Sequence, residues 1–280
     1  MGCERHSANK ALWLRSLISK TMKLQLIRNA TLRLNYAGQM VLIDPYFAPQ
    51  FSLPSYTGKS PNPLVELPLP IEAILKDVSL VIVSHLHSDH FDTVAHQHVP
   101  KTLPLFCQPG NEEFIRGKGF QQVMPITDET DWQGIHIKRT DGHHGLGYVE
   151  TQMGKVSGFV LQAPNEPTIY WAGDTVLSGE VEQAIERFQP DVIVTHSCGA
   201  KWPDDHEQRQ LIVMDDEQTI AVCQAAPSST LIATHMEALD HANVSRAQLR
   251  ETANRAGVGI ERLRIPADGE IVEILNNRHR

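Results

Sequence analysis

The chain has 280 residues, 41% of them hydrophobic and 21% charged, a composition ordinary for a globular protein and a length sufficient for a full buried core. Its net charge of −8, with no clustered basic run outside the short N-terminal stretch, argues against a nucleic-acid partner, and no apolar run is long enough to span a bilayer. Four cysteines (Cys3, Cys107, Cys198 and Cys223) are scattered without a CxxC pair, which fits a reduced, cytoplasmic setting better than a disulfide framework.

Residues 1–21 read as a poorly ordered extension ahead of one domain over 22–280. Arg15 interrupts its apolar stretches, so a secretory signal fits poorly, and His6 stands where the myristoylation pattern wants Ser or Thr. Short strands are expected over 23–28, 31–36 and 40–44, with Ala37-Gly38 as the turn between the second and third. Residues 45–70, rich in Pro, Ser and Gly, form a long loop without periodicity, and ordered loops of that length are often functional. Leu80-Val81-Ile82-Val83 is a buried strand. Strands over 103–107 and 121–125 flank a helix over 112–118 that Gly119 ends.

A second run of strands follows at 135–140, 156–163 and 168–172. Val181, Ala184, Ile185 and Phe188 then repeat at helical spacing, and Pro190 stops that helix. Strands at 191–195 and 231–234 alternate with helices over 215–226 and from Ser245, an N-cap, to about 256. Strands at 262–265 and 270–275 finish the chain. Strands first, then strand and helix in alternation, twice over, predict an α/β protein of two packed sheets with helices outside.

The chemistry concentrates at Ser84-His85-Leu86-His87-Ser88-Asp89-His90, where the strand at 80–83 gives way to a loop. Strand ends of this kind are where α/β proteins place their sites. Imidazole and carboxylate together suit a borderline divalent cation such as zinc, and His85, His87, Asp89 and His90 are enough to feed two ions. Further ligands are expected at later strand ends, and three segments qualify: His143-His144-Gly145, Gly173-Asp174-Thr175 and His235. An ordinary turn aspartate and a satisfied strand-end histidine are the plain alternatives for Asp174 and His235.

These segments, with Trp171-Ala172 before Gly173 and Thr234 before His235, resemble the metallo-β-lactamase superfamily. The likeness is strongest to its branch of stand-alone bacterial hydrolases that includes L-ascorbate-6-phosphate lactonase. The resemblance implies an αββα four-layer sandwich with the site at one edge. It implies that His85, His87 and His144 hold one ion, that Asp89, His90 and His235 hold the other, and that Asp174 bridges them. The His-Gly pairing favours His144 over His143. Leu42-Ile43-Asp44-Pro45 resembles the family's early strand-end Asp, which supports ligands rather than binding metal.

The implied activity is that of a dinuclear hydrolase, with zinc expected and manganese or iron accepted by the same ligands. A metal-bound hydroxide would attack a small ester, lactone or related substrate, with Asp89 orienting the nucleophile. Two alternatives use the same ligands: a phosphodiesterase acting on a nucleotide or phospholipid, and a non-catalytic, metal-stabilised binding protein. His87 in place of Glu disfavours di-iron, oxygen-reducing relatives, and Asp174 in place of Cys disfavours many true β-lactamases.

Among the remaining residues, His241 is a candidate to protonate the leaving group, against a plain loop histidine. His196, at the end of its strand, is a candidate substrate contact, against a buried hydrogen-bonded histidine. His206 falls in a polar loop, and His96 and His98 fall on a helix face with surface roles. Trp171 is expected in the core, and Cys198 in the core or lining the pocket. Nothing in the sequence places Arg28-Asn29-Ala30 or Lys201-Trp202 at the pocket. The expected partner is a small molecule, not nucleic acid or membrane.

Overall fold

The structure, a computed structural model, describes residues 21–202 and 209–275. Residues 1–20 of the expected extension and His206 lie outside the described residues, while Thr21, also placed in that extension, opens the first strand. The first half of the chain supplies β1 (Thr21–Arg28), β2 (Thr31–Tyr36), β3 (Gln39–Ile43), β4 (Val78–Val83), β5 (Pro104–Cys107) and β6 (Gln122–Pro125). The second supplies β7 (Glu129–Trp132), β8 (Ile135–Gly142), β9 (Val156–Gln162), β10 (Ile169–Trp171), β11 (Val192–His196), a small ribbon of β12 (Lys201–Trp202) and β13 (Gln210–Leu211), then β14 (Thr230–Thr234), β15 (Leu263–Arg264) and β16 (Ile271–Leu275). The helices are α1 (Ile71–Leu75), α2 (Thr93–His98), α3 (Glu112–Gly117), α4 (Tyr148–Met153), α5 (Gly179–Phe188), α6 (Asp216–Ala225) and α7 (Arg246–Arg255).

Two mixed, seven-stranded sheets result, in the orders β16-β1-β2-β3-β4-β5-β6 and β15-β14-β11-β10-β9-β8-β7. Strands joined by hairpins pair antiparallel, as β8 and β9 also do across the short α4, whereas β3-β4-β5-β6 and β10-β11-β14-β15, joined through helices, pair parallel. Side chains alternate across every strand. Leu80 and Ile82 point into the core between the sheets with Val192, Val194 and Ile232. Their neighbours Val81 and Val83 face outward onto α2 and α3, while Ile193, Leu231 and Ala233 face α5, α6 and α7. Both faces of the central strands are therefore apolar, which is why they read as continuous hydrophobic runs. The outcome is the expected four-layer αββα sandwich.

Most predicted elements stand, with ends shifted by a residue or two. Ala37 and Gly38 take left-handed angles, φ 50° and 78°, in the β2–β3 turn. Three expectations were incomplete. The strand predicted over 135–140 runs on to Gly142 because β9 pairs with it along its whole length. β7 was missed: Glu129, Asp131 and Trp132 are poor alternation, and the strand exists because it pairs with β8. α1 and α4 were missed because each is a short helix without a polar N-cap, Pro70 and Gly147 standing there instead.

His98 is exposed on α2, as expected, but His96 is half buried against the rings of Phe91 and Phe114. Burial, with Lys118 and Lys101 nearby, pushes its pKa down from 6.5 to about 4. The folded state thus favours the neutral ring. Its contribution to stability is complete above pH 6.5 and is lost as pH falls through about 4. Urea unfolding of His96→Gln between those limits should show a shallower acid-side loss of stability than wild type; identical slopes would contradict this burial effect.

Candidate metal centre

The carboxyl ends of β3, β4, β8, β10, β11 and β14 meet at one edge of the sandwich, and each delivers a polar side chain there. Asp44 follows β3, His85–His90 follow β4, His144 follows β8 and Asp174 follows β10. His196 closes β11, and His235 follows β14. The sheets are tied together at this edge by the β1–β2 turn. Asn29 Nδ2 donates to the Asp89 carbonyl at 3.0 Å, and the Asn29 carbonyl accepts from the His235 amide at 2.9 Å.

Two backbone features aim the ligands. Asp44 and His235 both take left-handed angles, φ 46° and 62°, conformations that cost on the order of 1–3 kcal/mol and persist only when the surroundings over-determine them. Gly173 has φ 72°, and a Cβ there would lie 2.9 Å from the Ser157 carbonyl and 3.1 Å from the Trp171 ring. Only glycine lets the chain turn this tightly and present Asp174 to the centre.

Asp174 sits in the middle. Its Oδ2 lies 3.9 Å from His85 Nε2 and 3.6 Å from His144 Nε2 on one side, and 3.1 Å from His90 Nε2 on the other. Its Oδ1 lies 3.8 Å from His235 Nε2 and 2.5 Å from His196 Nδ1. Asp89 Oδ2 approaches His235 Nε2 at 3.2 Å and His90 Nε2 at 3.7 Å. Two of the donor groups in which every atom lies within 4.8 Å of the others surround Asp174: His85, His87 and His144, and His90, Asp174, His196 and His235.

The hydrogen-bond network fixes the ring tautomers. Ser84 Oγ donates to Asp44 Oδ2 at 2.7 Å and therefore accepts from His85 Nδ1 at 2.9 Å. His144 Nδ1 donates to the Ile212 carbonyl at 2.7 Å. Both rings then turn an Nε2 lone pair toward the Asp174 carboxylate. Two acceptors facing a third repel unless a cation lies among them, and His85 Nε2 is buried without a hydrogen-bond partner. The residues present fit a divalent metal. The rings of His85, His90 and His144 are each braced from outside, His90 by Asp44 at 2.8 Å, the arrangement that orients metal-binding imidazoles.

Electrostatics agrees. Burial, aided by His90 and His87, holds His85 well below its ordinary value, and burial brings His144 to about 4, so both rings are neutral. Burial would raise the Asp174 carboxyl, but His90, His235 and His196 outweigh it and hold Asp174 well below the usual range. Burial would likewise lower His90, but Asp174, Asp89 and Asp44 raise it to about 10. His235 is raised in the same way, by Asp174 against burial. Without metal, imidazolium charge does the neutralising.

His144, not His143, enters the centre; His143 lies outside it, between Glu150 at 2.6 Å and Glu180 at 3.0 Å. His196 stands at this edge in its alternative reading, a buried, hydrogen-bonded histidine. It is fully buried behind Asp174 and hydrogen-bonded to it rather than exposed to a groove. His241 is partly exposed at the rim, its ring 5.9 Å from that of His235. Trp171 is in the core as expected, and its ring edge also meets His196 at 5.2 Å. Arg28 is a loop anchor, donating to the carbonyls of Val65 at 2.9 Å and Ala48 at 2.8 Å. Lys201 and Trp202 are exposed.

Sequence reading missed Tyr56 and Asp240. The long loop returns over the centre so that Tyr56 Oη meets Ser88 Oγ at 2.6 Å and its ring packs 5.1 Å from His241. Asp240 holds the loop there. Its carboxylate accepts from Ser55 Oγ, from the amides of Tyr56 and Thr57 at 3.1 Å, from Thr57 Oγ1 at 2.7 Å and from Asn62 Nδ2 at 2.9 Å. The Asp-His pair at 240–241 was the only local signal. Asp240→Ala should cost about 3 kcal/mol by orphaning these donors and should raise KM by freeing Tyr56. Unchanged urea unfolding and unchanged KM would reject that role.

No helix among the described residues is long and apolar enough to cross a membrane. A family profile for the beta-lactamase superfamily domain matches residues 39–236. The chain is 36% identical to the UPF0173 protein YddR of Bacillus subtilis over 257 residues, 89% of this chain and 98% of that protein. It is 27% identical to a UPF0173 metal-dependent hydrolase of Xanthobacter autotrophicus over 183 residues, 61% of this chain and 70% of that one. A possible metal-dependent hydrolase from Veillonella parvula superimposes with a TM-score of 0.86 at 31% identity, covering 91% of this chain and 100% of that structure. An isothiocyanate hydrolase from Delia radicum gut bacteria does so with a TM-score of 0.83 at 36% identity and the same coverage. With the sandwich, the edge site and these relatives in agreement, the chain belongs to the metallo-β-lactamase superfamily, in the UPF0173 family of metal-dependent hydrolases.

Proposed function

We propose that the protein is a dinuclear metal-dependent hydrolase of a small molecule with an electrophilic carbon: an ester, a lactone or an isothiocyanate. One observation carries the reading: the Asp174 carboxylate stands between two donor groups, with His85 and His144 on one side and His90 and His235 on the other. In this reading His85, His87 and His144 hold one cation, Asp89, His90 and His235 hold the second, and Asp174 serves both. Zinc is the expected ion, since neutral imidazoles with carboxylates are its usual donors. Bound there, divalent cations supply Lewis acidity and bring the pKa of water to about 7.

The chain's own residues do the remaining work. Asp89 accepts a hydrogen bond from the attacking water and orients it toward the substrate carbon. His241, at the rim, gives a proton to the leaving oxygen or nitrogen. Tyr56, stacked edge-on to His241, closes the mouth and excludes bulky substrates. His196 hydrogen-bonds Asp174 and keeps its carboxylate aimed. The isothiocyanate class is included because of the 36%-identical structure of that activity; the lactone class rests on the resemblance in sequence. Three unpaired, buried cysteines, Cys107, Cys198 and Cys223, favour a reducing cytoplasmic setting.

A panel of esters, lactones, isothiocyanates and bis-p-nitrophenyl phosphate, run on protein of measured metal content, tests the proposal. Turnover of one carbon electrophile class, abolished in His87→Ala with loss of bound metal, is the expected result. Turnover confined to the phosphodiester would replace it with a phosphodiesterase. No turnover across the panel, with tight binding of a metabolite, would make the protein a metal-stabilised binder.

A further inference from the structure

Around His235 lies a second set of donors, one of which, the Cys198 thiol, hydrolysis does not use. Single donor atoms of Cys198, His235 and His241 all lie within 4.8 Å of one another. Cys198 and His235 are buried, at 0% and 1% exposure, whereas His241 is partly open to solvent. An ion therefore has a route in from the rim to a dry pair of ligands.

The two ring nitrogens of His235 have different surroundings. Nε2 faces the hydrolytic centre, 3.2 Å from Asp89 Oδ2 and 3.3 Å from His90 Nε2. Nδ1 is buried and finds no nitrogen or oxygen partner, and the same is true of His241 Nδ1. The contrast with His85, His90 and His144 is direct, since each of those rings anchors its Nδ1 on an oxygen. The backbone holds the set together: the Cys198 carbonyl accepts from the amides of Asn243 at 2.8 Å and Val244 at 2.9 Å. Asn243 Nδ2 also donates to the His241 and Gly199 carbonyls, both at 3.0 Å. The thiol is thus fixed against the segment that carries His241.

One thiol and two imidazoles are a donor set for soft or borderline cations such as cadmium, copper(I) or excess zinc, and a poor one for magnesium or calcium. We propose that Cys198, His235 and His241 form an accessory site for a soft cation, separate from the hydrolytic centre and linked to it through the His235 ring. Binding there expels the Cys198 thiol proton to solvent, together with any proton on the ring nitrogens that become ligands. Because His235 serves both places, an ion in the accessory site draws on a ligand of the hydrolytic centre, and excess soft metal inhibits turnover.

The test is a cadmium titration of the metal-loaded protein. Equilibrium dialysis measures bound cadmium and displaced native metal, and ultraviolet absorption reports the thiolate-to-cadmium charge-transfer band. Wild type should bind one cadmium more than Cys198→Ser and should show a band that the variant lacks, so that Cys3 is controlled for. His241→Ala, at a partly exposed position that tolerates change, should keep its fold and weaken that cadmium about 100-fold. Equal cadmium uptake by wild type and Cys198→Ser would overturn the proposal. So would a band of unchanged affinity in His241→Ala, since the thiol would then be acting without that ring. Neither readout depends on turnover, so failure of the hydrolase assignment and failure of this site are separately visible.

Discussion

Asp174→Ala should remove hydrolysis and most of the bound metal. Its carboxylate is the one negative group within 4 Å of His85, His144, His90, His196 and His235 together. Removing one member of a buried charged cluster costs about 3–5 kcal/mol, and a loss of that size in the free energy of metal binding is about 10²- to 10⁴-fold in affinity. Asp174→Asn is the sharper variant, because it keeps the shape and the hydrogen bond to His196 while deleting the charge. If charge is what holds the cations, Asn fails as Ala does. Metal analysis and rate measurement on both variants check this, and full activity in either variant after metal removal would refute the mechanism.

Stripping the metal from wild-type protein lowers its melting temperature. A ligand that binds only the folded state contributes about 2.7 kcal/mol at a free concentration a hundredfold above Kd, or about 5 °C or more for a chain of this size. The effect depends on pH with a definite sign. In the metal-free protein His90 is raised to about 10 by its carboxylates. Its favourable charge is therefore fully present below its ordinary value near 6.5 and disappears as pH rises through about 10. A cation replaces that proton, so metal affinity increases with pH, and the gap between loaded and stripped melting curves should widen from pH 7 to 10. Coincident curves after verified stripping would count against the centre.

How much of this was legible beforehand differs by residue. The His85–His90 run announces itself because four of its six residues are His or Asp, and chance rarely does that. Asp174 and His235 each looked like ordinary strand-end residues, and only the order of segments along the chain, through a family likeness, raised them to ligands. The choice of His144 over His143 rested on the His-Gly pairing alone; that β8 runs on to Gly142 is decided by its pairing with β9. His196 was recognised as facing the site, but sequence offered no way to tell a side chain reaching substrate from one braced behind Asp174. Tyr56 and Asp240 were illegible, since loop 45–70 has no periodicity and its course depends on hydrogen bonds to a residue far along the chain.

By itself the sequence determined the layers, because alternation with period two and helical spacing are local properties that survive without knowing any partner. It also determined the donor chemistry, because imidazole and carboxylate carry their preference for divalent cations wherever they are placed. Only the tertiary structure decided which donors converge, which ring nitrogen each imidazole turns inward, and what covers the mouth. Those depend on contacts between residues far apart in the chain, such as Ser55 and Asp240, 185 positions apart, and no local pattern encodes a distance across the fold.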